Sequence, residues 1–164
     1  MKPKIYLSLF AAMLVAGAIA AMWPVMWQGW LSPPRASGAD PADPVQVALG
    51  KRVYAANCAS CHGVKLEGEP DWRGRKPDGS LRAPPHDASG HTWHHADFQL
   101  FEVTRDGRDG NLTFGFKSDM PAYKSLLKDD EIWAVLAFII SNWPPKIRAR
   151  QNSINARMKN PQER

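Results

Sequence analysis

Two cysteines three positions apart, closed by a histidine, constrain this chain more than any other feature: Cys58-Ala59-Ser60-Cys61-His62. Each thiol can add across one haem vinyl group to form a thioether. The two residues between them let the chain turn so that the His62 ring comes to lie over the haem face as an axial iron ligand. Rival readings of Cys-x-x-Cys fit less well. A structural zinc site needs four protein ligands, and a chain with two cysteines would have to recruit histidines. A thioredoxin-like redox pair expects a βαβ setting, and no strand-rich pattern surrounds this one. Both cysteines are consumed, so neither a disulfide framework nor a second haem of this type is available.

Charge is distributed unevenly. The chain carries a net +5, which invites a nucleic-acid reading until the charges are placed. Residues 36–143 hold 12 Lys and Arg against 15 Asp and Glu. Beyond them, Lys146, Arg148, Arg150, Arg157, Lys159 and Arg164 face Glu163 alone, and Lys2, Lys4 and Arg35 lie at the other end. The middle is mildly acidic and the ends are basic, so nucleic acid is not the expected partner.

Ile5 to Leu31 contains no charged residue. At 1.5 Å per residue that run is long enough to cross roughly 30 Å of hydrocarbon. Lys2 and Lys4 put the N-terminus in the cytoplasm and the remainder outside, and Trp23, Trp27 and Trp30 suit an outer-interface belt. Ala18-Ile19-Ala20 also makes an acceptable signal-peptide cleavage site. A retained anchor is the preferred reading because the apolar run and its tryptophans continue past that site.

Residues 32–43 read as a tether, rich in proline and small polar residues. Asp43-Pro44 then opens a helix, Asp as N-cap and Pro at the first helical position. Its apolar stripe is Val45, Leu49 and Val53. Gly50 with Tyr54 points to close approach of another helix, a glycine on a solvated face being the alternative.

Residues 64–91 form a long loop whose firmest feature is Ala83-Pro84-Pro85. A prolyl carbonyl in stiff backbone is well suited to accept the Nδ1–H of His62 and hold its ring. Ala96 to Asp106 reads as a short helix on Phe98, Leu100 or Phe101, and Val103, with Gly107 as C-cap. The last helix is expected from Asp129 to Asn142 and ends ahead of Pro144-Pro145. Residues 144–164, basic and almost without apolar content, are expected to lack stable structure.

These features together resemble the class I cytochrome c family, over roughly Pro44 to Trp143. They are a helix entering Cys58-Ala59-Ser60-Cys61-His62-Gly63, a proline loop, Asp119-Met120-Pro121, and an aromatic closing helix. Gly115-Phe116-Lys117-Ser118-Asp119-Met120-Pro121 and the stretch from Glu131 to Ile139 are similar to the C-terminal half of bacterial monohaem members. The resemblance implies an all-α fold whose first and last domain helices cross, with Gly50 and Tyr54 against Phe138, preceded here by a single transmembrane helix. It implies one haem c per chain, thioethers at Cys58 and Cys61, axial ligands His62 and Met120, and a Pro84 carbonyl on His62 with Pro85 next in line. Domain limits follow as 1–31 anchor, 32–43 linker, 44–143 cytochrome domain and 144–164 tail.

Two departures stand out. Lys128 occupies the position where a capping Ser or Thr is usual. The run from Pro84 to His95 is unusually rich in histidine, and His86, His91, His94 and His95 could form a copper or zinc site, hydrogen-bond a propionate, or be solvated. Met120, a core filler by default, gains its ligand reading from its place before Pro121 and ahead of the last helix. Trp93 and Trp72 are candidates for the haem edge or a propionate, core filling being equally open, and Arg73, Arg75 and Arg82 are candidates for propionate pairing.

The function expected is one-electron transfer by a carrier, not an enzyme. Its partners are respiratory complexes or periplasmic redox proteins, with no small-molecule substrate, on the periplasmic side of a bacterial cytoplasmic membrane. The alternatives are a haem enzyme or sensor with a displaceable Met120, or a cytochrome subunit of a larger oxidoreductase or copper-handling system.

Overall fold

The structure is a computed structural model that describes residues 37–108 and 117–158. The predicted anchor over 5–31, the first five residues of the tether and residues 109–116 of the loop ahead of Met120 lie outside the described residues. Among those described, no helix is long and apolar enough to cross a membrane.

Among the described residues five α-helices follow in chain order: α1 Pro44–Asn57, α2 Ala59–His62, α3 Asp97–Asp106, α4 Asp129–Ser141 and α5 Pro145–Arg157. A 3-10 turn, Thr92–His94, precedes α3. No strand occurs among the described residues; the only β contacts are isolated bridges, Arg75 to Leu81 and Leu81 to Ser118.

α1 begins as its sequence dictates. The Asp43 carboxylate accepts the Val45 N–H at 2.8 Å, and Pro44 leads the first turn. Its buried face keeps Val53 and, half-buried against the core, Leu49 of the expected stripe, but not Val45. Val45 is 64% exposed, whereas Gln46, Gly50, Val53 and Tyr54 are buried. Gly50 decides this. A β-carbon there would lie 1.8 Å from the Ala134 carbonyl oxygen and 2.9 Å from the Phe138 β-carbon. Only a bare backbone lets α1 approach α4 so closely, and that contact sets the rotation of the whole helix. Tyr54, one turn on, meets the Phe138 ring with centroids 5.4 Å apart.

α4 is the core element. Ile132, Ala134, Val135, Leu136, Ala137, Ile139 and Ile140 are all buried. Each fully buried branched side chain contributes roughly 1.5–3 kcal/mol relative to exposure. Lys128 supplies no capping side chain, but Glu131 reaches back to accept the Lys128 N–H at 2.9 Å. That half of a capping box, with acidic residues through the first turn, keeps the start where the pattern put it.

The tail departs from expectation: residues 145–157 are helical, not unstructured. Pro145 cannot extend α4, yet at a helix start its missing N–H costs nothing. α5 then docks through polar groups. Gln151 is 1% exposed and donates from Nε2 to the Asp97 carboxylate. Asn155 Oδ1 accepts the Asp97 N–H at 2.8 Å. Ala96, the N-cap of α3, has no side chain able to cap, so Asn155 does this from another helix. Ile147 packs against the main core. An apolar count misses a helix held this way.

Burial raises the Asp97 carboxyl above the ordinary aspartate value, against the lowering effect of hydrogen bonds from Gln151 and Asn155. When the folded value exceeds the unfolded one, the group's stabilisation is complete below the unfolded pKa and lost as pH rises through the folded one. The stability of wild type relative to Asp97→Asn, from urea midpoints, is therefore expected to decline from about pH 4 upward. A difference that grows with pH would contradict burial as the controlling effect.

Candidate haem site

The Cys-x-x-Cys-His segment is a single helical turn grown from the end of α1. Cys58 closes α1 by donating its N–H to the Tyr54 carbonyl at 2.8 Å, and the His62 N–H returns to the Cys58 carbonyl at 2.9 Å. The two cysteines form no disulfide; Cys58 is half-buried and Cys61 exposed. Burial pushes the Cys58 thiol up to about 11, with Cys61 adding to the effect. Gly63 ends the turn at φ +80, in the left-handed region, and its carbonyl accepts the Tyr54 hydroxyl at 2.8 Å. The tyrosine that packs on Phe138 thus also holds the end of the motif. Burial, foremost, raises that phenol well above the ordinary tyrosine range.

His62 is 9% exposed. Its Nδ1 lies 2.8 Å from the Pro84 carbonyl oxygen. A carbonyl can only accept, so Nδ1 carries the proton and Nε2 keeps its lone pair. Burial lowers the His62 pKa while the Pro84 hydrogen bond opposes it. A neutral ring with a free Nε2 is the form that ligates iron. Of the two prolines, Pro84 makes the contact.

His86 stacks on His62 with ring centroids 4.0 Å apart and planes 24° from parallel. Its Nδ1 is 2.8 Å from Thr92 Oγ1, and that hydroxyl donates to the Pro85 carbonyl at 3.4 Å. The hydroxyl proton being spent, His86 Nδ1–H is the donor to Thr92. The Trp143 indole N–H holds the His86 carbonyl at 2.7 Å. The sequence marked His86 only as one of four loose histidines.

The other three histidines pack on tryptophans and on one another. His91 lies under Trp72, centroids 5.2 Å apart, with His95 at its edge, and His94 sits on Trp93. Among the described residues, no group of three or more His, Cys, Asp or Glu side chains could hold a metal ion. The Trp93 N–H, a candidate propionate donor, goes instead to the Gly90 carbonyl at 3.1 Å. Its ring packs against the main core, beneath the Arg150 guanidinium. The tight turn responsible needs Gly90, where a β-carbon would sit 2.0 Å from the Pro85 oxygen. Arg73 lies over the Trp72 ring, 4.2 Å from its centroid.

Met120 is half-buried. Its N–H donates to Ser118 Oγ at 3.2 Å, and its carbonyl accepts the Arg108 N–H at 3.0 Å. Gly107, at φ +71, ends α3 so close to this arm that a β-carbon would meet the Ala122 nitrogen at 2.6 Å. Tyr123 donates its hydroxyl to the Asn57 carbonyl at 2.7 Å. That bond ties the methionine arm to the residue just before Cys58. Nothing local in the sequence marks Tyr123 for this, since its partner lies 66 positions away.

These residues fit a covalently attached haem. The thiols share one turn, His62 presents an unspent Nε2, the methionine arm is tied to the same turn, and the buried His91 Nδ1 has no protein partner. A helical domain built around such a turn is a c-type cytochrome. Residues 47–143 match the family model for cytochrome c. Cytochrome c6 of Tetradesmus obliquus is 34% identical over 93 residues, which make up 57% of this chain and 86% of that protein. Cytochrome CL from the marine methylotroph Methylophaga aminisulfidivorans MPT, a crystal structure, aligns at TM-score 0.46 and 19% identity, over 73% of this chain and 72% of that one. The chain belongs to the cytochrome c family, as a class I c-type cytochrome whose cofactor is covalent haem c. Membership of that family implies an electron carrier.

Proposed function

We propose that this protein is a single-haem electron carrier with His62 and Met120 as axial ligands and Cys58 and Cys61 as thioether sites. The haem supplies the one-electron chemistry, its iron alternating between ferric and ferrous. The chain's task is to hold the two ligands still, keep water from the iron, and set the potential; a thioether ligand raises it. The observation that carries the reading is the His62 Nδ1 contact with the Pro84 carbonyl at 2.8 Å. It fixes the ring's tautomer and orientation and leaves Nε2 as the free donor.

The same proposal places the haem domain on the periplasmic side of a bacterial cytoplasmic membrane, tethered through residues 5–31, with respiratory complexes or periplasmic redox proteins as partners. The charge-free run behind Lys2 and Lys4 supports the anchor. The mass of the mature protein reads whether residues 1–20 are retained.

Optical spectra of the purified protein, oxidised and reduced, test the ligand assignment. Wild type is expected to be low-spin with a far-red sulfur-to-iron band. Met120→Ala should lose that band and lower the reduction potential by on the order of 0.1 V or more, within the ~0.8 V that axial ligands span. A high-spin wild type, or one that binds carbon monoxide readily when reduced, would give the enzyme or sensor reading the lead.

A further inference from the structure

We propose that the loop over residues 69–84 is a clamp that positions Met120 for the iron, with Glu69, Lys76, Ser80 and Asp119 as its positioning residues. The inference rests on Met120 being the sixth ligand and adds what holds it there.

One end of the loop is fixed at the histidine side. Pro84 accepts from His62 Nδ1 at 2.8 Å. The base is closed by Glu69, whose N–H donates to the Ala83 carbonyl at 2.9 Å and whose carboxylate accepts the Ala83 N–H. The same carboxylate lies 3.5 Å from the Lys76 ammonium. Gly68 makes this closure possible: at φ +71, with the Pro85 nitrogen 2.5 Å from where a β-carbon would be, no other residue fits without a shift.

The other end grips the segment that leads into Met120. The Leu81 N–H donates to the Lys117 carbonyl at 2.9 Å. Lys76 Nζ lies 3.2 Å from Asp119 Oδ2, and Lys117 Nζ lies 2.6 Å from Asp78 Oδ2. Ser80 sits at the centre, 0% exposed, its hydroxyl 2.8 Å from Asp78 Oδ1 and 3.2 Å from Asp119 Oδ2. A serine has one hydroxyl proton, and both carboxylate oxygens lie within its reach, so Asp78 and Asp119 share it in a three-centre bond. Lys76 neutralises the Asp119 carboxylate beside it. Asp119 is the residue immediately before Met120, so two groups of one loop, a buried hydroxyl and an ammonium, fix the backbone next to the sulfur. The loop therefore spans both axial sides.

Exposed ion pairs add little to global stability, and this arrangement does not depend on their doing so. What it governs is how readily the Met120 arm swings away and yields its site. Imidazole reads that directly, because it displaces a thioether from ferric iron and abolishes the far-red band. In the full-length holoprotein, Ser80→Ala and Asp119→Asn are each expected to bind imidazole ~3- to 10-fold more tightly, the scale of one modest hydrogen bond lost. Lys76→Gln should act in the same direction and Lys76→Arg should restore the wild-type affinity. Lys124→Gln, which removes an ion pair with Asp106, should leave it unchanged. Urea midpoints separate this from general loosening. Lys76 is a third exposed, so its variants decide the matter if Ser80→Ala fails to fold. A wild-type band with imidazole affinities within twofold of wild type in all the loop variants overturns the clamp alone. A wild type without the band overturns the Met120 assignment, and the clamp with it.

Discussion

Gly50→Ala is expected to destabilise the holoprotein by about 2–3 kcal/mol or more, although alanine is the better helix former. Propensity alone predicts a gain of up to ~1 kcal/mol for that replacement. Packing opposes it. The added β-carbon would fall 1.8 Å from the Ala134 carbonyl oxygen and 2.4 Å from its carbon. Those are backbone atoms inside α4, so no side chain can rotate to make room. α1 must move off α4, which pulls Tyr54 from Phe138 and loosens the hydroxyl bond to Gly63 at the end of the haem motif. Overpacking of this kind costs typically ~1–3 kcal/mol and sometimes more. Ala48→Gly, at an exposed position of the same helix, provides the contrast: it should lose only the propensity term of ~1 kcal/mol. Urea or guanidinium unfolding of the three proteins decides the sign, and a Gly50→Ala variant as stable as wild type would mean the helices separate without cost.

Trp143→Ala should lose ~3–5 kcal/mol, the range for removing a large aromatic from a core. Trp143 is 2% exposed and lies in the main cluster with Val53, Tyr54, Leu66, Val135, Ile139 and Ile140. It also donates its indole N–H to the His86 carbonyl. Trp143→Phe separates the two contributions. It keeps most of the apolar contact but leaves that carbonyl without its donor, a loss of ~1–3 kcal/mol if water cannot replace it. Because His86 stacks on His62, Trp143→Phe should also disturb the His62 environment, seen in the haem absorption bands. A loss below ~1 kcal/mol for Trp143→Ala would show that this residue closes the helix end without supporting the core.

The elements that the sequence announced are those whose cause is local or periodic. Cys58, Cys61 and His62 share one turn because their spacing allows nothing else compatible with α1. Asp43 and Pro44 start α1 because a carboxylate can satisfy a free N–H and proline does not need its own. Ile132, Val135, Leu136 and Ile139 define α4 by helical spacing. Gly50 was legible as a close approach because a glycine inside a helix has a cost that something must offset.

Tertiary structure alone decided the rest. Val45 faces outward because the Gly50 contact, not the apolar stripe, orients α1. Residues 145–157 fold because Gln151 and Asn155 find Asp97 more than fifty positions away, a polar match that leaves no periodic trace. Of the four loop histidines, His86 joins His62 while His91 meets Trp72 and His95 and His94 meets Trp93, because each ring follows its own turn. Ser80 and Asp119 meet across 39 positions for the same reason. Hydrophobic burial is written along the chain as a repeating pattern; a hydrogen bond between distant side chains depends on where two backbones come to lie, and only the folded chain supplies that.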